Sequence, residues 1–196
     1  MELGDRKASP EETRKPLIPG HRTCFWARGP VSKDPYINIA YPDAGVFYWN
    51  ATFTVPEGAR LYLKGTFPHS RYMSLISYDG RGAPIESLAD YLIVPDENSI
   101  NPFVDGASRT NEKRSYTVEI VNHSPEIRRK EGIKLELQTD VKGSSSQKQI
   151  SHRNSLNAAQ YGQGQQSIIY RIYVPDKGKS ESGGVLLPEV VLILNN

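Results

Sequence analysis

The segment FPHSRYMSLISYDG sets a histidine, an arginine and a tyrosine, His69, Arg71 and Tyr72, at the entry to a strand. An imidazole exchanges protons near neutral pH, and a guanidinium grips a carboxylate or phosphate through two parallel hydrogen bonds. Arg171 and Tyr173, in SIIYRIYVPD, form a similar pair in a late strand. An arginine that interrupts a run of Ile and Tyr is either solvated or paired in a cleft, because an unpaired buried guanidinium is costly. His69, Arg71, Tyr72, Arg171 and Tyr173 are therefore the candidate ligand-binding residues, with Asp79, Asp90 and Asp96 the carboxylates available to pair with the arginines. Alternation limits the idea: His69 and Arg71 share one face of an extended strand and Tyr72 takes the other. For each arginine the plainer reading is a structural place on the polar outer face that antiparallel sheets ordinarily present.

Tyrosine adds a second theme. Tyr36, Tyr41, Tyr48, Tyr62, Tyr72, Tyr78, Tyr170 and Tyr173 lie in or beside strand patterns. Gathered on a concave face, they would suit a sugar or an aromatic small molecule through stacking and hydroxyl hydrogen bonds. Tyrosine is also simply a good half-buried strand residue.

Other chemistries fail on spacing. No G-x-S-x-G occurs, and the chain's one cysteine, Cys24, leaves neither an internal disulfide nor a Cys-based zinc site. GRG at 80–82 and GQG at 162–164 lack the strand–loop–helix setting of a phosphate cradle. His21, His69, His123 and His152 have no local chelating spacing, so no metal and no cofactor is expected. PDENSINPFVDG (95–106) is rich in oxygen ligands, but Ile100 falls where the third ligand of an EF-hand loop belongs. Asx side chains bonding their own backbone are the favoured reading of Asp96 to Asp105, with calcium left open. The sequons at Asn50 and Asn122 are read as chance.

Twenty-four Lys and Arg against 22 Asp and Glu leave a net charge of +2, too little for a global attraction to nucleic acid. Basic residues outnumber acidic ones between 109 and 153, densest at Arg128-Arg129-Lys130, where a solvated loop is expected rather than a nucleic-acid contact. No apolar run approaches the roughly 18 residues of a membrane span.

The elements that must position these residues are short strands. VFYWNATFTV (46–55) alternates, with Phe47, Trp49, Ala51, Phe53 and Val55 on one face. Strands are also expected at 59–67, 71–80, 91–94, 116–121, 133–141, 167–174 and, after Pro188, up to Leu194. Pro84–Asp90 and Ser155–Tyr161 are the two places where a helical turn is expected. The fold class is all-β: an antiparallel β-sandwich of jelly-roll type with at most one or two short helices. Residues 1–33 read as an extended N-terminal arm, pinned where Cys24-Phe25-Trp26 docks, and 34–196 as the sandwich domain with a long polar loop at 143–166. Phe47, Trp49, Phe53, Leu61, Leu63, Tyr116, Val118, Ile168, Ile172, Val190 and Leu192 are the expected core.

Three stretches together carry a resemblance: YWNATFTVPEGARLYLKGTFPHSRYMSLISYDGRGAPIESLADYLIVPDENSINPF, then SYTVEIV, then YRIYVPDKG with GGVLLPEV. They resemble a group of uncharacterised, mostly bacterial β-sandwich proteins, in which a strand ending in RY-S leads through a Tyr-Asp turn to an Asp-rich loop with Asn-Pro-Phe. More distantly, they are similar to bacterial jelly-roll domain-of-unknown-function families. The resemblance supports the fold and brings no activity with it. Many members look exported, so a periplasmic or extracellular location is what it implies, although 1–33 carries no signal-peptide apolar core.

Fold alone does not choose a function. The leading expectation is a module binding a small molecule or sugar on an aromatic-rich face near His69, Arg71 and Arg171. One alternative is a lyase or isomerase of the same fold, with His69 or a tyrosine moving a proton while arginine neutralises an anion. The other is an assembly subunit, a homo-oligomer formed through the N-terminal arm or through sheet edges.

Overall fold

Alternating apolar and polar side chains give a strand one face to bury, and two sheets meet that need by packing those faces together. The computed structural model describes residues 25–31, 45–123 and 152–194 of the protein. Within them the strands are β1 (Arg28–Val31), β2 (Val46–Thr54), β3 (Ala59–Thr66), β4 (Ser70–Tyr78), β5 (Pro84–Ala89), β6 (Ser115–Val121), β7 (Ser155–Asn157), β8 (Gln165–Pro175) and β9 (Glu189–Leu194). A five-stranded sheet runs β1-β2-β8-β4-β5 and a four-stranded sheet runs β7-β6-β3-β9. The architecture is the expected all-β sandwich, antiparallel except where β7 lies parallel to β6.

β8 is the axis of the larger sheet. On one side Phe47, Trp49 and Ala51 pair with Ile172, Tyr170 and Ile168. On the other, Met73 and Leu75 pair with Ile172 and Tyr170. These inward rows meet Leu61, Leu63, Tyr116, Val118 and Ile120 of the smaller sheet in one continuous core. Tyr116 lies over Gly65, its partner across β3 and β6. A Cβ at Gly65 would sit 2.4 Å from the ring, so glycine is required for the ring to lie flat there. Tyr116 and Tyr170 come from opposite sheets and bring their hydroxyls together at mid-core. Neither hydroxyl makes a hydrogen bond of good geometry, and burial holds both phenols neutral by driving their pKa upward.

Phe25 and Trp26 dock on this core. Phe25 packs on Phe53 with ring centroids 4.9 Å apart, and Trp26 on Tyr170 at 5.8 Å. The Trp26 indole N–H donates to the Pro188 carbonyl at 2.9 Å. The chain then continues as β1 along the edge of β2. Cys24 and the rest of the arm through residue 24, the strand expected at 133–141, Tyr36, Tyr41, Arg128-Arg129-Lys130 and the 143–151 part of the polar loop lie outside the described residues.

Several local expectations are corrected. PIESLA is not a helical turn but β5, because pairing Leu88 with Leu75 buries Leu88 completely. Ser155–Asn157 is strand β7, and Leu156 is buried between the sheets. The expected strand at 91–94 is instead a 3-10 turn at Asp90–Leu92, the described helical element. Phe47, Phe53 and Val190 are only partly buried, and Leu192 is 43% exposed. Val190 and Leu192 pair with Leu63 and Leu61, so their face is the expected one. Among the described residues β9 ends its sheet, and an edge strand has no further neighbour to cover its side chains.

Leu63→Ala should cost about 2–5 kcal/mol, because it opens a cavity at a wholly buried position. Leu192→Ala should cost less than about 1 kcal/mol. Denaturant titration of the two variants measures both, and equal losses would overturn this assignment of the core.

Candidate functional site

The strand alternation that sends Ile168, Tyr170 and Ile172 inward sends Ile169, Arg171 and Tyr173 to the outer face of the larger sheet. The same alternation in β4 puts Tyr72, Ser74 and Ile76 on that face. Register then assembles them. Tyr72 lies opposite Tyr173 and Ser74 opposite Arg171, while Tyr48 of β2 flanks Arg171 on its other side. The Tyr72 and Tyr173 rings meet edge to face at 5.4 Å. The Arg171 guanidinium lies 5.6 Å from the Tyr173 ring centroid, and its Nε–H donates to Ser74 Oγ at 3.0 Å. Ser74 is itself wholly buried, so Arg171 is held on one side by a fixed hydroxyl and on the other by a ring face.

Just past this group, Val174 has φ 48°. A β-branched residue in the left-handed region is an outlier costing roughly 1–3 kcal/mol. Its neighbours hold it there: the Val174 N–H donates to the Gly45 carbonyl at 2.7 Å, and Tyr173 is paired on both sides, with Val46 and Tyr72.

His69 and Arg71 are placed differently. The His69 backbone joins the sheet through the Gly183 carbonyl and the Asp176 N–H, both at 2.9 Å. Gly183 has φ 70°, and a Cβ there would meet Pro68 at 2.6 Å, so this clasp requires glycine. The imidazole Nδ1 faces the Arg114 guanidinium at 3.3 Å, not the tyrosines. Burial first, and then the charges of Arg114 and Lys179, lower the His69 pKa, which leaves Nδ1 free to accept from Arg114. Arg71 is exposed and falls on the Met73 side of β4 by alternation, so the structure does not bring it together with Arg171.

Arg114 is a residue that sequence reasoning missed. It is 2% exposed and forms no ion pair among the described residues. Instead it donates to the carbonyls of Asn111, Phe67, Pro68 and Arg109, a cage of backbone acceptors supplied by two loops. Arg109 beside it donates to the Ser70 carbonyl, lies 4.0 Å from Asp176 and stacks on Phe103. No motif marks such a cage, because backbone carbonyls have no sequence signature. Ser74 was invisible for a like reason, since only the β4–β8 register shows that it faces Arg171.

Two of the three candidate carboxylates, Asp79 and Asp90, serve elsewhere. Asp79 Oδ1 accepts from the Arg81 and Ala83 N–H groups and closes the β4–β5 turn. Asn101 donates to the Asp90 and Ile93 carbonyls and so braces the Asp-rich loop from within. No three His, Cys, Asp or Glu side chains converge on a metal-sized site among the described residues. Asp90 is 3% exposed. Its carboxylate accepts from the Met73 and Tyr91 N–H groups at 2.8 and 2.7 Å, taking the place of a neighbouring strand just where β5 ends. Burial pushes its pKa up to about 6 against these hydrogen bonds and the charge of Arg109.

A carboxylate whose folded pKa exceeds its unfolded one binds more protons in the folded state, so stability falls as pH rises. For Asp90 the window runs from 3.8 to about 6. His69, lowered from 6.5, contributes the opposite slope as pH falls through that value. Asp90→Asn should therefore flatten the decline in stability between about pH 4 and pH 6, relative to the parent protein. Melting temperatures across that range measure it, and parallel curves would refute the assignment.

No protein-family model matches the chain, and no curated protein matches it. Among solved structures, the chain is similar to an uncharacterised protein from Burkholderia cenocepacia, at 12% sequence identity and a TM-score of 0.45. That similarity covers 79% of this chain and 31% of the Burkholderia chain, so this chain spans about a third of its neighbour's length.

Proposed function

We propose that the protein is a small-molecule or carbohydrate-binding β-sandwich module, with its site on the outer face of the larger sheet. The observation that carries this reading is the edge-to-face pair of Tyr72 and Tyr173 with Arg171 against Tyr173, all on one sheet face. A ring presented on a rigid sheet offers a sugar an apolar surface for its C–H face, while phenolic hydroxyls serve its rim. β2, β8 and β4 are paired along this stretch, so little ordering remains to oppose binding. The strained φ of Val174 beside Tyr173 supports the same reading, because strain of that kind gathers at binding sites. The enzyme alternative asks for His69 or a tyrosine to move a proton; His69 Nδ1 is turned to Arg114, which leaves that role to a tyrosine.

The full chain, titrated against an immobilised panel of glycans and small aromatic acids, should bind at least one class. Tyr173→Ala should weaken that binding by about tenfold or more, and Tyr72→Ala should weaken it less. Melting curves should show both variants folded. A panel without a binder, or a Tyr173→Ala variant that binds like the parent, would defeat the proposal.

A further inference from the structure

We infer that the ligand of this face carries an oxyanion group, a carboxylate, sulfate or phosphate, and that Arg171 receives it; this rests on the binding reading above. Arg171 lies in the middle of a central strand. Its cross-strand neighbours are Tyr48 and Ser74, and its neighbours along the strand on the same face are Ile169 and Tyr173. None carries a charge at neutral pH. Ser74 takes the Nε–H at 3.0 Å. The two terminal nitrogens make no hydrogen bond or ion pair among the described residues.

Other arginines of the fold show what a satisfied guanidinium looks like here. Arg60 forks onto Glu119 through Nε and Nη2 at 2.9 and 3.0 Å. Arg153 meets Glu86 at 2.9 Å, and Arg114 fills its cage of carbonyls. Arg171 is half-buried among neutral groups, where water screens a charge less than it does in bulk. The Ser74 hydroxyl fixes the guanidinium from its Nε side, and the Tyr173 ring flanks it. What remains is the end-on pair of Nη groups, whose spacing matches two oxygens of one acid group. A neutral ligand would use the tyrosines and leave that fork unanswered.

Three probe sets separate the possibilities: neutral oligosaccharides, uronic-acid oligosaccharides, and sulfated or phosphorylated oligosaccharides. Binding to the full chain is measured by calorimetry at low and at physiological salt. Members of an acidic set should bind tighter than their neutral counterparts by about tenfold to a hundredfold. Arg171→Gln should abolish that preference, so that acidic and neutral members bind the variant alike. Arg171→Lys keeps the charge but not the fork, and should recover only part of it. Ser74→Ala, which releases Nε, should narrow the gap between acidic and neutral members measured on the same variant, and it carries the test if Arg171→Gln does not fold. The second and third sets decide between carboxylate and sulfate or phosphate. If neutral and acidic members bind alike and Arg171→Gln changes neither, the oxyanion inference fails while the binding module stands. If no member of any set binds and the small aromatic acids do not bind either, both fail.

Discussion

β8 has to satisfy its backbone on two sides at once, and the rest of the structure depends on that constraint. Its amides and carbonyls pair with β2 along one edge and with β4 along the other. Because side chains alternate with a period of two, a slip of one residue in either register would turn Ile168, Tyr170 and Ile172 to solvent and Arg171 into the core. The first would forfeit the centre of the apolar core, and the second would bury a charge among Trp49, Leu75 and Tyr116. One register therefore fixes both what the sandwich packs and what its outer face presents. The Tyr72–Tyr173 pair and the Arg171–Ser74 bond follow from that register with no further instruction.

The parts of this scheme that were legible in the sequence are those governed by a single strand. Alternation over 46–55 identifies Trp49 and Ala51 as inward residues, and Arg171 and Tyr173 stand two residues apart on one face of SIIYRIYVPD. What joins one strand to another was not legible. Tyr72 reaches Tyr173 only because Met73 pairs with Ile172, and no local pattern encodes that pairing. β5 was misread for the opposite reason: Glu86, Leu88 and Ala89 are good helix formers, and pairing with β4 overrides their preference. On β9, alternation marks the correct face but not the exposure, since burial depends on whether another strand lies beyond.

Two charged groups inside the fold show how backbone groups serve a buried charge. Arg114 gives its N–H groups to carbonyls of the 67–68 and 109–111 segments, and Asp90 takes N–H groups from Met73 and Tyr91. Each ties a loop to the start of β4, the strand that also carries Tyr72 and Ser74. Placement of the outer-face residues thus rests on polar groups that never reach that face. Removing either side chain would leave its backbone partners unpaired, which costs more than the bond itself contributes.

Chain order gives the central position of β8 a consequence in time. β2 ends at Thr54 and β4 at Tyr78, but the strand that lies between them begins at Gln165. On a ribosome, β2 and β4 emerge with facing edges that nothing yet fills, and they stay so until roughly a hundred further residues have been made. At about 5–20 residues per second that interval lasts several seconds, longer than the microseconds a hairpin needs to form. The β4–β5 hairpin and the β3–β6 pair can assemble early, whereas the larger sheet cannot close before β8 has been made. In the nascent chain Trp49, Met73 and Leu75 therefore lack their cross-strand partners until Tyr170 and Ile172 have been made.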